Sequence, residues 1–215
     1  MKMPEIMLFK PEQIAEKIIA FSRICIEKNG LFRIVLAGGN TPKQIYEMLE
    51  KKSPNSKDWE IFYGDERDLP IGDLERNSTM VEKAMPQLIA KAAHFPILSA
   101  HDYDKLVSQK IPFDLVLLGI GEDGHTASIF PDKTYSYLDY VQIIDDAPKP
   151  PLHRISLTAK TLNSTAQTWV FATGQSKQNA LKQWVNGEKL PIAEIEPREK
   201  LILFSDQAAL PNQRF

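Results

Sequence analysis

Apolar residues recur along residues 11–28 with the spacing of one face of an α-helix. This stripe consists of Ile14, Ile18, Ile19, Phe21, Ile24 and Cys25. The pair Asn29-Gly30 directly after it is typical of a helix end, because glycine readily takes up the left-handed backbone that closes a helix. The pattern therefore predicts a first helix over 11–28.

Seven further segments are predicted strands, and several of them are continuous apolar runs rather than alternating ones. They are LFRIVLAGG (31–39), WEIFY (59–63), FDLVLLG (113–119), VQII (141–144), RISLT (154–158), TWVFATG (168–174) and KLILFS (200–205). Between these predicted strands, helices are predicted to start at Thr41-Pro42, at Asn77 or Ser78 (ending near Ala90), near 102 (ending near 110), and at Gln175-Ser176. Continuous apolar strands that alternate with helices favour an α/β fold: a mostly parallel, twisted, Rossmann-like sheet with helices on both faces.

The composition narrows the class of protein. The 215 residues carry a net charge of -2 and a single cysteine, and we expect one domain over 1–215. The near-neutral charge argues against nucleic acid or a membrane surface as a partner. Because no signal peptide or membrane-span pattern is visible, we expect a cytoplasmic protein. Cys25, on the first helix, is expected to be a buried, inert thiol.

The glycines and polar residues concentrate directly after four predicted strands. The segments are AGGNT, YGDER, GIGEDGH and ATGQSK. In an open parallel sheet, ligands bind at the carboxyl ends of the strands. The four segments are therefore predicted to form one site.

Two of these segments suit an anion. Gly38, Gly39, Asn40 and Thr41 precede a helix whose free N–H groups favour a phosphate, although a strand-to-helix turn also needs such glycines. In ATGQSK, Lys177 lies in the first turn of a helix, where a cation opposes the helix dipole and a bound phosphate would relieve the conflict. The alternative for Lys177 is an ordinary surface lysine.

Two further segments offer charged side chains. Asp65 and Arg67, after the second strand, suit a sugar hydroxyl and an anion respectively, but a solvated charge cluster is the simpler interpretation. Arg154, at the start of RISLT, has the planar fork of a second phosphate clamp. On its own this signal is weak.

GIGEDGHTASIFP (119–131) has the glycine spacing of a dinucleotide-binding turn. That fold needs a long crossover helix after the third glycine, and here Pro131 follows within a few residues. A serine hydrolase lacks its Gly-x-Ser-x-Gly segment, and the four histidines show no zinc-binding spacing. What remains is His125 as a general acid or base, with Asp123 close enough to tune it.

Taken together, LAGGNTP, FYGDERDLP with RNSTM, LLGIGEDGHTASIFP, RISLT and VFATGQSK resemble the glucosamine-6-phosphate isomerase/6-phosphogluconolactonase family from about residue 31 to 204. Asn40 replaces the serine usual in the first segment. The resemblance implies a phosphosugar lactone as substrate, hydrolysed without a metal or organic cofactor. It implies that His125 is the general base and that Asp123 orients it. Gly38, Gly39, Asn40, Thr41, Lys177 and Arg154 would hold the phosphate. Arg67 would contact phosphate or sugar, and Asp65 would be a further substrate contact.

The same resemblance leaves three functions open. The deaminase branch carries a glutamate five residues after the histidine, where this chain has Phe130, and reads DEY where this chain has Asp65 to Arg67. Both differences favour the lactonase over the deaminase. A non-catalytic phosphosugar sensor is the third function, disfavoured by the presence of His125 and Asp123. We expect a monomer or a weak homodimer.

Overall fold

A computed structural model of the chain describes residues 3–133 and 136–210, without the side chain of Ser136. Its strands are β1 (Glu5–Leu8), β2 (Phe32–Leu36), β3 (Trp59–Tyr63), β4 (Asp65–Arg67), β5 (Ala93–His94), β6 (Phe113–Gly119), β7 (Ser136–Tyr137), β8 (Val141–Ile144), β9 (Arg154–Leu157), β10 (Thr165–Ala172) and β11 (Lys200–Ser205). Its helices are α1 (Pro11–Asn29), α2 (Asn40–Lys52), α3 (Asn77–Ala84), α4 (Pro86–Lys91), α5 (Ala100–Lys110), α6 (Ala159–Asn163) and α7 (Gln178–Val185). Single 3₁₀ turns cover Gln175–Lys177 and Pro191–Glu194.

The main sheet has seven strands in the order β1-β11-β10-β6-β2-β3-β5, and every pair is parallel. All five residues of β3 are buried, as are the four central residues of β6 from Leu115 to Leu118. Since successive side chains of a strand point to opposite faces, both faces of the sheet are covered. The predicted α/β class with a mostly parallel sheet is confirmed.

A second sheet of four antiparallel strands, in the order β4-β9-β8-β7, was not predicted. VQII and RISLT are strands as expected, but they belong to this smaller sheet. Residues 65–67 were interpreted as a polar loop, and the structure shows β4 there. Such a short charged strand gives no apolar run, so its pairing with β9 is visible only in three dimensions.

Two helix predictions are corrected by the structure, one in its cap and one in its extent. Thr41 does not cap α2: the helix begins at Asn40, Gly39 occupies the cap position with φ 102°, and the Thr41 hydroxyl contacts Thr173 instead. Glycine takes this backbone without the steric cost that other residues would incur. The helix predicted from Asn77 or Ser78 to Ala90 is two helices, because Met85 has a non-helical backbone (φ -143°, ψ 61°) and Pro86 starts α4.

The remaining helix predictions agree closely. Helix α1 ends at Gly30, which has φ 80° and donates its N–H to the Ile26 carbonyl. Cys25 is buried, and burial raises the pKa of its thiol to about 12, with Asp114 adding to the effect. Across the described ranges, no helix is both long enough and apolar enough to cross a membrane.

Candidate active site

The four glycine-rich segments meet at the carboxyl edge of the main sheet, as predicted. They line a cavity of about 220 Å³ between the ends of β2 and β6, where the strand order reverses direction. Seven of the predicted site residues line this cavity: Gly38, Gly39, Asp65, Arg67, His125, Arg154 and Lys177. Asn40, Thr41 and Asp123 do not line it; Asn40 follows Gly39 in the chain, and Asp123 is hydrogen-bonded to His125. The structure therefore brings together side chains from both sheets.

The segment after β6 folds into a tight turn that presents His125. The Gly121 N–H donates to the His125 carbonyl at 2.8 Å, and the Gly124 N–H donates to the Gly121 carbonyl at 3.1 Å. A Cβ atom on Gly121 would lie 2.0 Å from His125 Nδ1 and 2.5 Å from Asp123 Oδ1. Gly124 has φ 80°, a backbone that suits glycine. These glycines serve the packing of the turn around the histidine rather than the binding of a dinucleotide.

His125 and Asp123 form a hydrogen-bonded pair, with 2.5 Å between Nδ1 and Oδ1. Partial burial on its own would raise the pKa of Asp123, but the charge and hydrogen bonds of His125 outweigh it and hold that pKa below its usual range. Asp123 is therefore a carboxylate, which can only accept, so Nδ1 carries the proton. In the neutral ring this leaves Nε2 as the basic nitrogen.

One face of His125 packs against Phe130, with 4.8 Å between the ring centroids. The Arg154 guanidinium lies over the same phenyl ring, 5.6 Å from its centroid. Phe130 is buried, so the base and the arginine both contact the same buried apolar ring. The group beside the histidine is thus an aromatic ring and not a second acid.

Two arginines face each other across the small sheet. Arg67 and Arg154 are register partners in the β4–β9 pair, and like charges placed opposite each other are destabilising. The carbonyls of Lys149 and Pro151 accept hydrogen bonds from Arg154, which fixes the guanidinium. The irregular segment 145–153 thereby holds a site residue in place.

Neither arginine has a carboxylate within ion-pair distance among the described residues. Arg67 donates to the Glu75 carbonyl through Nη1, while its buried Nε has no hydrogen-bond partner. Burial lowers the pKa of Arg154, the Asp65 carboxylate opposes this, and the Arg67 charge adds to it. Two guanidinium groups that lack an ion-paired carboxylate lie at one wall of the cavity, and this arrangement suits an anion.

Asp65 lies at the floor of the cavity and is only 7% exposed. Its Oδ1 accepts from Asn77 Nδ2 at 3.1 Å and its Oδ2 accepts from Ser128 Oγ at 2.5 Å. Asn77 also packs tightly on the glycine loop, since a Cβ on Gly38 would lie 1.9 Å from Asn77 Oδ1. Gly38 is therefore required by a neighbouring side chain as well as by any ligand.

The opposite wall combines the start of α2 with the turn after β10. Thr41 Oγ1 and Thr173 Oγ1 lie 2.7 Å apart, which links the two loops. The Asp206 carboxylate accepts the Gly174 N–H through both oxygens, at 3.1 and 3.0 Å, and so fixes the 3₁₀ turn that carries Lys177. This wall has the N-terminus of α2 and the Lys177 ammonium group, both of which favour an anion.

Three residues of the site were missed from the sequence. Asn77 was assigned only to helix capping, yet it lines the cavity. Glu66, interpreted as part of a charge cluster, is buried and accepts the Asn77 and Ser78 N–H groups at 2.6 and 2.8 Å, so it caps α3. Ser128 carries no local signal of a role, because no Gly-x-Ser-x-Gly segment surrounds it. The segment RNSTM was noted in the sequence, but no local sequence pattern indicates that the Asn77 side chain contacts Asp65.

Residues 11–204 match the family of glucosamine-6-phosphate isomerases/6-phosphogluconolactonase. The chain belongs to this family. Within it, the chain is 31% identical to a probable 6-phosphogluconolactonase of Schizosaccharomyces pombe, over 74% of this chain and 73% of that one. It is also 31% identical to 6-phosphogluconolactonase 3 of Saccharomyces cerevisiae, over 84% and 83%. The crystal structure of a 6-phosphogluconolactonase from Thermotoga maritima superposes with a TM-score of 0.86 at 26% identity and covers 95% of this chain and 100% of that one. The family resemblance inferred from the motifs is confirmed.

Proposed function

We propose that the protein hydrolyses 6-phospho-D-glucono-1,5-lactone to 6-phosphogluconate, a step of the oxidative pentose phosphate pathway. The observation that carries this proposal is the His125–Asp123 pair at one side of a cavity whose other walls hold Arg67, Arg154 and Lys177. A general base next to an anion-binding wall suits a neutral lactone that carries a remote phosphate. The names of the relatives point to the same reaction.

In the proposed reaction, Nε2 of His125 takes a proton from a water molecule as the water oxygen attacks the lactone carbonyl carbon. Asp123 holds Nδ1–H in place and stabilises the imidazolium that forms. The tetrahedral intermediate collapses with cleavage of the ring C–O bond, and the imidazolium returns its proton to the departing ring oxygen. General-base assistance of this kind typically contributes about 10² to 10⁴ in rate.

The phosphate is proposed to bind where α2 begins, between the Gly38–Gly39 loop, Thr41 and Lys177, with Arg154 closing the site. Binding energy from this remote group fixes the lactone carbon against the water. Arg67, whose Nε lacks a partner in the described structure, is proposed to donate to the phosphate or the sugar.

The presence of Phe130 favours lactone hydrolysis over deamination of an amino-sugar phosphate. Its ring packs on His125, at the position where the deaminase branch carries a glutamate for ring opening. A phenyl group can neither donate nor accept that proton, so the site has the base for water activation without the second acid.

The test is a pair of substitutions assayed with freshly prepared lactone, following 6-phosphogluconate above the spontaneous rate. His125→Ala should lower kcat about 100-fold or more with little change in phosphate-ligand affinity, because only the base is removed. Lys177→Ala should mainly raise KM, because its partner is the phosphate. A wild-type protein that gives no acceleration would refute the proposed function. Full turnover by His125→Ala would refute the assigned base.

A further inference from the structure

Ser128 lies three residues after His125 and is fully buried. Its hydroxyl donates to Asp65 Oδ2 at 2.5 Å, and Asp65 Oδ1 accepts from Asn77 at 3.1 Å. Each oxygen of this nearly buried carboxylate is thus already bound by a protein donor. The residue is only 7% exposed, so its carboxylate is directed mainly at these two protein donors rather than at the open cavity.

The turn that carries His125 is fixed to both sheets. The Thr126 hydroxyl donates to the Gly119 carbonyl at 2.9 Å, which ties the turn to the main sheet. Ser128 ties it to the small sheet, through Asp65 and through a backbone N–H that donates to Ser156 Oγ at 3.3 Å. Between these two anchors lies Ala127, which has φ 48°.

A non-glycine residue in the left-handed region persists only where its surroundings impose it. The hydrogen bond from Ser128 to the Asp65 carboxylate is buried and charge-assisted, and bonds of this type are stronger than neutral ones. It is the anchor on the far side of Ala127 from the histidine. The Ile129 N–H donates to the Thr126 carbonyl at 2.9 Å and closes the turn around Ala127 and Ser128. Without the bond to Asp65, this closed turn loses a fixed point on the small sheet, and the His125 ring that precedes it can shift relative to the cavity.

We propose that Ser128 is a positioning residue for His125, and that Asp65 acts on the reaction through Ser128 rather than by contacting the substrate. This inference rests on the proposed lactone hydrolysis and revises the sequence-based expectation that Asp65 is a substrate contact. It assigns a role in the reaction to a residue that does not touch the reacting atoms.

The test compares Ser128→Ala, Asp65→Asn and the double variant. Both single substitutions should lower kcat by about 10- to 100-fold with KM within about twofold, because a base displaced by a fraction of an ångström to 1 Å loses rate on this scale. The double variant should be no worse than the poorer single variant, since both remove one interaction. Ser128→Cys, which keeps the volume and a weaker donor, should fall between wild type and Ser128→Ala.

The matched control is Ser56→Ala. Ser56 is equally buried and donates to the Leu88 carbonyl at 2.9 Å, away from the cavity. It should lower the melting temperature while kcat stays at the wild-type value. If Ser128→Ala behaves in the same way, its role is only structural and the proposal fails. Wild-type kcat in Ser128→Ala beside a large loss in Asp65→Asn would also overturn it, because Asp65 would then act directly.

A second readout does not depend on catalysis. The proton on Nδ1 of His125, held by Asp123, should give a low-field NMR signal that is kept in Ser56→Ala and shifted or lost in Ser128→Ala. If the wild-type protein fails to hydrolyse the lactone but the signal changes as described, the proposed function fails while the positioning role survives. An unchanged signal in Ser128→Ala overturns the positioning role whatever the activity.

Discussion

Gly121→Ala tests whether the close approach of the glycine turn to His125 matters for activity. The added Cβ would lie 2.0 Å from His125 Nδ1, whereas ordinary contact begins at 3.4 Å. The imidazole would therefore have to move by about 1.4 Å, the difference between these two distances. A misplacement on the scale of 1 Å costs roughly 100-fold in rate. Gly121 does not have a positive φ, so alanine introduces no backbone strain there.

We expect Gly121→Ala to lower kcat for the lactone by about 100-fold or more and to abolish the low-field signal of the His125–Asp123 hydrogen bond. Because the His125 side chain is 31% exposed, the ring can swing outward, and the melting temperature should change little. The measurements are steady-state kinetics above the spontaneous hydrolysis rate, proton NMR and thermal unfolding.

Gly119→Ala is the comparison variant, two positions earlier in the same segment. A Cβ there meets no atom within 4 Å, so the His125–Asp123 hydrogen bond should be retained and the loss of activity should be much smaller. Wild-type kcat in Gly121→Ala would show that the position of the imidazole described here is not needed for the reaction. An equal loss in both variants would show that the added methyl group itself, and not the displaced ring, is responsible.

Two further predictions concern groups away from the cavity. Burial alone would raise the pKa of Glu60, but the hydrogen bonds and charges of Lys110 and Arg33 outweigh burial and lower this pKa. The Glu60 carboxylate therefore stabilises the fold above its unfolded pKa of about 4.5. This contribution is lost as the pH falls through the lower pKa of the folded state. Glu60→Gln should cost about 2 kcal/mol at pH 7, measured by urea unfolding, and this cost should shrink as the pH falls below about 4.5. A cost that does not change with pH would contradict this account. Burial raises the pKa of Cys25 to about 12, so an aromatic disulfide reagent at pH 8 should react only when urea unfolds the protein; rapid labelling of the native protein would show that the thiol is accessible.

The sequence was most informative where one physical requirement dominates. Apolar runs located the strands of the main sheet because those strands are buried on both faces. Since parallel strands end at a common edge of the sheet, the sequence alone predicted that His125 and Lys177 belong to one site. Gly38 and Gly121 were assigned to turns, but the side chains that leave no room for a Cβ there, Asn77 and His125, were not predicted from the sequence.

What escaped prediction depends on contacts between distant parts of the chain. Residues 65–67 look like a solvated charge cluster because their strand partner, β9, lies far along the sequence. Glu66 caps a helix that begins at Asn77, and no local pattern connects the two. The Thr41 hydroxyl contacts Thr173 rather than the backbone of its own helix, so propensity rules alone gave the wrong partner.

The pairing of β4 with β9 has a consequence for folding. It joins two short strands that are distant in sequence, and closing such a loop costs entropy before the contacts repay it. The two arginines placed opposite each other add repulsion to this step. The small sheet is therefore expected to close after the more apolar main sheet has brought its ends together, and Lys177 joins the cavity only after β10 has been made. Catalytic competence should arise as one of the last events of folding, which makes enzyme activity a sensitive reporter of its completion.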